Sequence, residues 1–548
     1  MNGLSRFACL CIAGLGLSDA QPAFSAPVDR AEAFRFLQQA TFGPTKTDID
    51  RLVSFGDSSV AYRRWIDEQI AIPPSLLLPA LLAKRASGVR GPELNNARQD
   101  AWFRTTVLGP DQLRQRVAFA LSEIMVVSQR GALTPLQFAL ADYHDVLARN
   151  AFGNFRQLIE QVTLHPAMGV YLSMLGNRKP DAALNIRPDE NYARELMQLF
   201  TIGLVQLDPD GTVRTDSAGQ PIPTYDQSVI EGFANVFTGW NYSGGTSFST
   251  AIVNHITQAR PMQAYPEEHS PLAKRLLDYP GVVTNELPSG QTPQQDLSAA
   301  LDNVFNHPNV GPFISRRLIQ RLVASNPSSG YVARVAAVFA DDGTGKRGQL
   351  GAVIKAILLD PEARPDLNTA GDATGKLKEP LLRLIQLWRA YKATSQNGVY
   401  RLLNADKSFG EGHLLAPSVF NFFTPHYAPQ GEISDRGLVA PEMQIATEDL
   451  NALITNYLSS QVFSRNSTKK NLAAGDIVIN ISEEVALASN PDAVVASLST
   501  KLLGGRISPA LASETRSAVL RWPLTNRGNR VAEPMFLIVT SPEYAVQR

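Results

Sequence analysis

The sequence predicts a mainly α-helical protein, a large multi-helix bundle-like domain carrying a small β-hairpin insertion. Apolar residues recur three or four positions apart through most of the chain, and Pro and Gly interrupt them at helix-length intervals. Strict alternation is confined to a short stretch after Leu204. The 548 residues are 44% hydrophobic and 19% charged, so the chain can bury a substantial core without covalent staples. Its length corresponds to about three or four domain-sized units, or fewer if one is large. Fifty-one basic residues balance fifty-one acidic ones. Bulk attraction to nucleic acid or anionic membrane therefore has no electrostatic basis, and any ligand must be recognised locally.

The first segment reads as an export signal. Arg6 precedes an apolar run from Phe7 to Leu17, and Ser18-Asp19-Ala20 offers small residues at the two positions a signal peptidase reads. Residues 1–20 are thus expected to be a signal peptide, and the mature product to be periplasmic or secreted. The run is short for a membrane span of about twenty residues, although an uncleaved anchor is the competing reading. Both cysteines, Cys9 and Cys11, fall inside it, so the mature chain is expected to have no thiol and no disulfide. Lipidation is the weaker reading, because Ala8-Cys9 and Leu10-Cys11 lack the usual small-residue approach.

The elements follow in order. Residues 29–40 place Ala33, Phe34, Phe36, Leu37 and Ala40 on a helical period, and Phe42-Gly43-Pro44-Thr45 ends the segment. Thr45 and Thr47 precede Ile49, Leu52 and Val53 and predict a second helix start, and 61–70 continues as a third helix before Pro73-Pro74. Periodic stretches at 111–127, 135–150 and 155–164 read as bundle helices. Between 204 and 224 a hairpin is expected around the turn Asp208-Pro209-Asp210-Gly211. The Asp208/Asp210 pair reads as that turn and not as a calcium loop, whose Gly would come sixth instead of fourth. Helical pattern resumes at 226–237 and 296–305, separated by a Pro- and Gly-rich stretch, 241–295, expected to carry short helices or form a flap. Helices at 310–324, 330–340, 348–359 and 380–392 follow. The expected organisation is a main domain over 21–465 and a C-terminal helical region over 466–548 packed on it.

Several common engines are missing. There is no H-E-x-x-H and no G-x-S-x-G, and no G-x-G-x-x-G follows a strand. Gly371 to Lys376 resembles a phosphate loop, but its glycines are one residue too close and Leu377 replaces the Ser or Thr that would hold magnesium. The sequence identifies no cofactor and no metal ligand set.

The densest polar cluster on a predicted helix runs from Pro188 to Leu199. Pro188 and Asp189 suit a helix start, and Glu190 falls where the helix dipole stabilises a carboxylate. Tyr192, Leu196 and Leu199 form an apolar stripe, while Asn191, Arg194, Glu195 and Gln198 share the other face. Glu190 can pair with Arg194, and Asn191 with Glu195. Such a face is either a structural network or a site in which Glu190 and Glu195 act as acid or base while Asn191 and Arg194 hold a hydroxyl-rich or anionic ligand.

Five ordered blocks carry a resemblance. They are Phe36-Leu37-Gln38-Gln39-Ala40-Thr41-Phe42-Gly43-Pro44-Thr45; the D-E-N-Y-A-R-E-L helix; Phe237-Thr238-Gly239-Trp240; His307-Pro308 with Phe313-Ile314-Ser315-Arg316-Arg317-Leu318; and Pro417-Ser418-Val419-Phe420-Asn421-Phe422-Phe423. Together they resemble the bacterial family of unknown function numbered 1800, from about Ala31 to Ser541-Pro542-Glu543-Tyr544. The resemblance implies a large, helical, exported bacterial protein, often encoded beside a second exported protein of a sulfatase-like family. That neighbourhood hints at processing of a surface or extracellular polymer. The family supplies no catalytic residue to carry over.

Seven histidines, at 144, 165, 255, 269, 307, 413 and 426, complete the inventory of candidate groups. His165-Pro166 and His307-Pro308 sit at predicted helix junctions, where an imidazole commonly caps. His144 reads as a packed or surface residue, and His269, after Glu267-Glu268, could close from the flap onto the acidic helix. A mixed His and carboxylate metal site is the competing use of such groups, but no close pair of histidines supports it. Trp240 is either core or an aromatic face for a sugar beside carboxylates. Phe420, Phe422 and Phe423 look like a core plug, and Arg316, Arg317 and Arg321 form either a basic strip or one face of a solvated helix. The expectation is an exported enzyme acting on a polymer, most plausibly a polysaccharide, through Glu190 and Glu195, with Asn191, Arg194, Trp240 and His269 binding substrate. The alternative is a non-catalytic surface or assembly protein that binds a co-exported partner.

Overall fold

The computed structural model describes residues 27–366, 371, 374–402 and 404–548. The expected signal peptide, with Cys9 and Cys11, lies outside them, as does part of the phosphate-loop-like run.

Local capping sets the first elements. Asp29 accepts the N–H of Glu32 at 2.7 Å and opens the helix Arg30–Ala40. Thr45 and Asp48 satisfy each other's backbone N–H groups and open Lys46–Ser54. The periodic stretches become Ser58–Ala71, Gln112–Ser122, Gln137–Asn150, Phe155–Thr163, Gln227–Val236, Pro293–Asn306, Val310–Leu322, Ser329–Ala340, Leu350–Leu359 and Pro380–Ala390. The protein is mainly α, as the pattern predicts; among the described residues its sheets are four two-stranded antiparallel pairs. Three further long helices, Leu77–Ala86, Pro92–Leu108 and Glu448–Phe463, go beyond those the sequence pattern predicts.

The apolar faces meet in two clusters. One gathers the helices of 30–66 and 113–202 with those of 229–237 and 297–358. The other joins Leu77, Trp102 and Phe119 to Trp388, Leu458, Val494, Met535 and Tyr544. Residues 466–548 therefore share a core with helices from early in the chain. They are also stitched on by strand pairs, Lys376–Leu377 with Val546–Gln547 and Thr394–Ser395 with Ile477–Val478.

The excursion at 204–224 doubles back twice. Leu207 bridges Val213 across the expected turn, where the Gly211 N–H donates to the Asp208 carbonyl at 2.8 Å, and Thr215 bridges Pro221 across a second turn. Asp210 accepts the Thr212 N–H at 2.9 Å, which is the turn role read for it. The 241–295 stretch carries short 3-10 turns and two strand pairs. It lies close against helix Gln227–Val236, since a Cβ at Gly232 would sit 1.9 Å from the carbonyl oxygen of Arg275. Among the described residues no helix is long and apolar enough to cross a membrane.

Candidate functional site

The acidic helix is held at its start by side chains. Asp189 accepts the Asn191 N–H at 2.8 Å, and Asn177 bonds both the N–H and the carbonyl of Asp189. The backbone is α-helical over Asn191–Glu195 and then widens into a π-helical turn over Leu196–Thr201, a form that often marks functional positions. The predicted stripe faces inward. Tyr192 is buried, with its hydroxyl 2.6 Å from that of Thr163, Leu196 is buried and Leu199 is half-buried.

Glu190 and Arg194 form the expected i,i+4 pair at 2.7 Å. Both are also committed to Gln227 of the neighbouring helix, which accepts from Arg194 at 2.9 Å and donates to Glu190 at 3.0 Å. This network ties two helices together at the surface. Asn191 is exposed and makes no side-chain bond to Glu195. Glu195 stands apart. It is half-buried, its Oε2 is buried without a hydrogen bond, and burial raises its carboxyl above the ordinary range against the opposing charge of Arg194. Tyr171 and Tyr225 lie near enough to feel its charge.

His269 and Trp240 are held in the interior. His269 Nε2 lies 2.8 Å from Asp296 Oδ2, its Nδ1 lies 2.9 Å from the Thr238 carbonyl, and Lys274 Nζ reaches the same carboxylate oxygen at 2.7 Å. All three side chains are essentially sealed, at 3%, 0% and 0% exposure. Trp240 pairs with Ala264 in the strand and is buried. No hydrogen bond or ion pair joins either residue to Glu195. The junction histidines cap as read: His165 Nδ1 accepts the Ala167 N–H at 3.0 Å, and His307 Nδ1 accepts that of Asn309 at 3.1 Å. His144 is buried, 2.9 Å from His413. Among the described residues no group of three or more His, Cys, Asp or Glu is arranged to hold a metal ion.

An open cleft of about 840 Å³ is reached by the acidic helix at Gln198 and Leu199 and bounded by helix Val310–Leu322, the 204–213 excursion and the segment around Phe420. Three guanidinium groups line it. Arg321 pairs with Glu123 at 3.3 Å and lies over the ring of Phe423. Arg317 lies over Phe313 and donates to Gln320 at 3.4 Å, while Arg316 reaches the Gly211 carbonyl at 3.5 Å. Among the described residues neither Arg316 nor Arg317 has a carboxylate within ion-pair distance. Burial, followed by the charges of Arg321 and Arg316, pushes Arg317 down to about 9. Phe420, read as core, is 50% exposed at the cleft, whereas Phe423 is the buried member of that cluster. Asn421 between them adopts a left-handed backbone, φ 67°, and donates to Glu123.

Behind the cleft lies a charged interior that sequence reasoning missed. Glu123, Glu379, Glu411 and Glu442 each bury one carboxylate oxygen without a hydrogen bond. Lys376, the lysine of the phosphate-loop-like run, lies 3.2 Å from Glu379 and 2.9 Å from Glu442, and Arg116 donates to the carbonyl of Arg321 at 2.6 Å. Burial pushes the Glu123 carboxyl up to about 7 and raises that of Glu411 well above its ordinary value. Burial also acts to raise Glu379, but the nearby cations, Lys376 foremost, outweigh it and lower that carboxyl. The available signal was Glu123 itself, a lone acid between Leu121-Ser122 and Ile124-Met125-Val126-Val127.

The family described as "Protein of unknown function (DUF1800)" matches residues 35–546, nearly the whole chain, and the protein belongs to it. No curated protein and no solved structure matches the chain.

Proposed function

We propose, for this member of a family with no assigned activity, that the protein is an exported enzyme processing an extracellular or cell-surface polysaccharide. The polymer lies in the 840 Å³ cleft and Glu195 is the proton-transferring carboxyl. The observation that carries this reading is nearness in sequence: Gln198 and Leu199, which line the cleft, follow Glu195 by three and four positions across the junction of the α-helical and π-helical turns. A carboxyl with an unpaired buried oxygen and a raised pKa retains a proton closer to neutral pH than an ordinary glutamate, as a general acid for a leaving-group oxygen requires. The cleft is of the size that takes several sugar rings. Glu190 and Arg194, fastened to Gln227, fix the start of the helix and through it the position of Glu195. Export rests on the signal-like residues 1–20.

The test is reducing-end release from a panel of bacterial extracellular polysaccharides by the mature protein. Glu195→Gln should abolish release while moving the melting temperature by no more than about 2 °C, since its carboxylate makes no hydrogen bond through Oε2. Undiminished release by the variant removes Glu195 from the chemistry, and unfolding assigns it to the architecture.

The non-catalytic reading, a surface or assembly protein bound to a co-exported partner, draws on one observation. Leu204, Val213 and Phe420 expose apolar surface along the same cleft, at 54%, 43% and 50%. Co-purification of the neighbouring exported protein that survives Glu195→Gln, with no turnover by wild type, would favour it.

A further inference from the structure

We infer that the cleft recognises an acidic polysaccharide, Arg316 and Arg317 binding its carboxylate or sulfate groups while the exposed Phe420 ring offers a face to a sugar. This deepens the polysaccharide reading above and rests on it. Three arginines fall within six positions of helix Val310–Leu322, and two of them, Arg317 and Arg321, are four apart, where like charges oppose helix formation. Only Arg321 has a carboxylate within ion-pair distance, that of Glu123. Arg316 and Arg317 are half-buried in the cleft wall with no ion-pair partner among the described residues. Asp210, the carboxylate that acts on Arg316 through space, is already engaged with Thr212. Two partly desolvated guanidinium groups facing an open cleft in a chain of zero formal charge form a local demand for anions.

The shape of the site narrows the class. Phe420 is the cleft's half-exposed phenyl ring, and Leu199, Val419 and the exposed His426 line the same cleft. A single-stranded nucleic acid is instead bound by successive stacking rings along a continuous basic track. An exposed phenyl face beside two arginines, the half-buried Gln198 amide and the exposed His426 imidazole fits a sugar ring with a charged substituent.

The test is calorimetric titration of the mature protein, at fixed salt, with four probes of equal length: an oligouronate, a sulfated oligosaccharide, a neutral oligoglucan and a single-stranded oligonucleotide. Either acidic saccharide should bind at least about tenfold more tightly than the neutral one, and which of the two wins identifies the anionic group. Arg316→Gln should weaken that binding about tenfold, and the Arg316→Gln/Arg317→Gln pair more than the single change. Because Arg317 is half-buried, Arg317→Lys serves as the folded control, keeping charge while losing the planar fork and weakening binding less than Arg317→Gln. Equal affinity for the neutral oligoglucan, unaltered binding by Arg316→Gln, or tighter binding of the oligonucleotide than of any saccharide overturns the inference. Tight acidic-saccharide binding without turnover by wild type supports this inference while removing the enzymatic reading. Turnover of a neutral polysaccharide that is indifferent to both arginine changes does the reverse.

Discussion

Removing the carboxylate of Asp296 should destabilise the protein by about 4 kcal/mol, a figure reached by two routes. Lys274 and Asp296 are both fully buried, 2.7 Å apart, so Asp296→Ala leaves an ammonium in the interior with only the Ser270 and Leu272 carbonyls, at 2.8 and 2.7 Å, and a neighbouring imidazole. Breaking one side of a buried pair costs roughly 3–5 kcal/mol. The lysine can escape by losing its proton, and from an ordinary value near 10.4 that costs on the order of 4–5 kcal/mol at pH 7, which caps the loss. Urea unfolding followed by tryptophan fluorescence measures it. The sign with pH follows from the escape: the folded variant holds a lysine whose pKa is lowered, so its deficit should shrink between pH 7 and 9, by up to about 1.4 kcal/mol per unit. Lys274→Met added to Asp296→Ala should recover part of the loss, because both partners are then gone. A loss below about 1 kcal/mol, or no recovery in the double variant, would refute the assignment of His269, Lys274 and Asp296 to a sealed structural triad.

Glu123 gives a pH dependence in wild type. Its carboxyl is pushed up to about 7 by burial, so the folded protein keeps a proton that the unfolded chain releases from about pH 4.5 upward. The Glu123 contribution should therefore fall as pH rises across that window, by on the order of 3 kcal/mol; Glu123→Gln should make the curve shallower in urea titrations at pH 5, 6, 7 and 8, leaving the slope that comes from the likewise raised carboxyls of Asp145 and Glu411. Gly232→Ala drives a methyl to within 1.9 Å of the Arg275 carbonyl and must displace the Lys274–Arg275 strand; the expected loss is about 3 kcal/mol, read as a fall in melting temperature. The Glu195→Gln measurement and the arginine titrations complete the set.

Two of the helices legible in the sequence, Arg30–Ala40 and Lys46–Ser54, have their start signals beside them. Asp29 and Thr45 cap through bonds to residues three positions on, so composition and order reveal them. Helix Leu77–Ala86 has no local cap. Its first N–H groups, of Leu77 and Leu78, donate at 2.7 and 2.9 Å to Asp145, on helix Gln137–Asn150, and no window around residue 77 contains that acid. Helix Pro92–Leu108 hides for a different reason. Its inward face includes Arg98, which is fully buried because Gln137 and Gln129 accept its N–H groups at 2.9 and 2.5 Å. A period search that scores arginine as an outward residue places this helix's interior on the wrong side.

The candidate site divides along the same line. The Glu190–Arg194 pair and the inward Tyr192 and Leu196 follow from helical spacing alone, and both are present. What spacing cannot supply is the surroundings of each group. Arg316 and Arg317 have the same spacing whether their helix faces water or a cleft, and it is the approach of residues 204–213 and 419–426, distant in sequence, that makes them cleft-lining. For the same reason Phe420 and Phe423, three apart in an aromatic run, take opposite fates: the left-handed turn at Asn421 sends one to the surface and packs the other beneath Arg321. His269 shows the converse. It looked free because its neighbours in sequence are two glutamates, yet its partner is Asp296, 27 positions on and already shared with Lys274. A polar residue's chemistry is thus set by whether the fold supplies its counter-charge. In this chain His269 meets Asp296, and Glu379 and Glu442 meet Lys376, while Arg316 and Arg317 line a cleft with no carboxylate at ion-pair distance among the described residues.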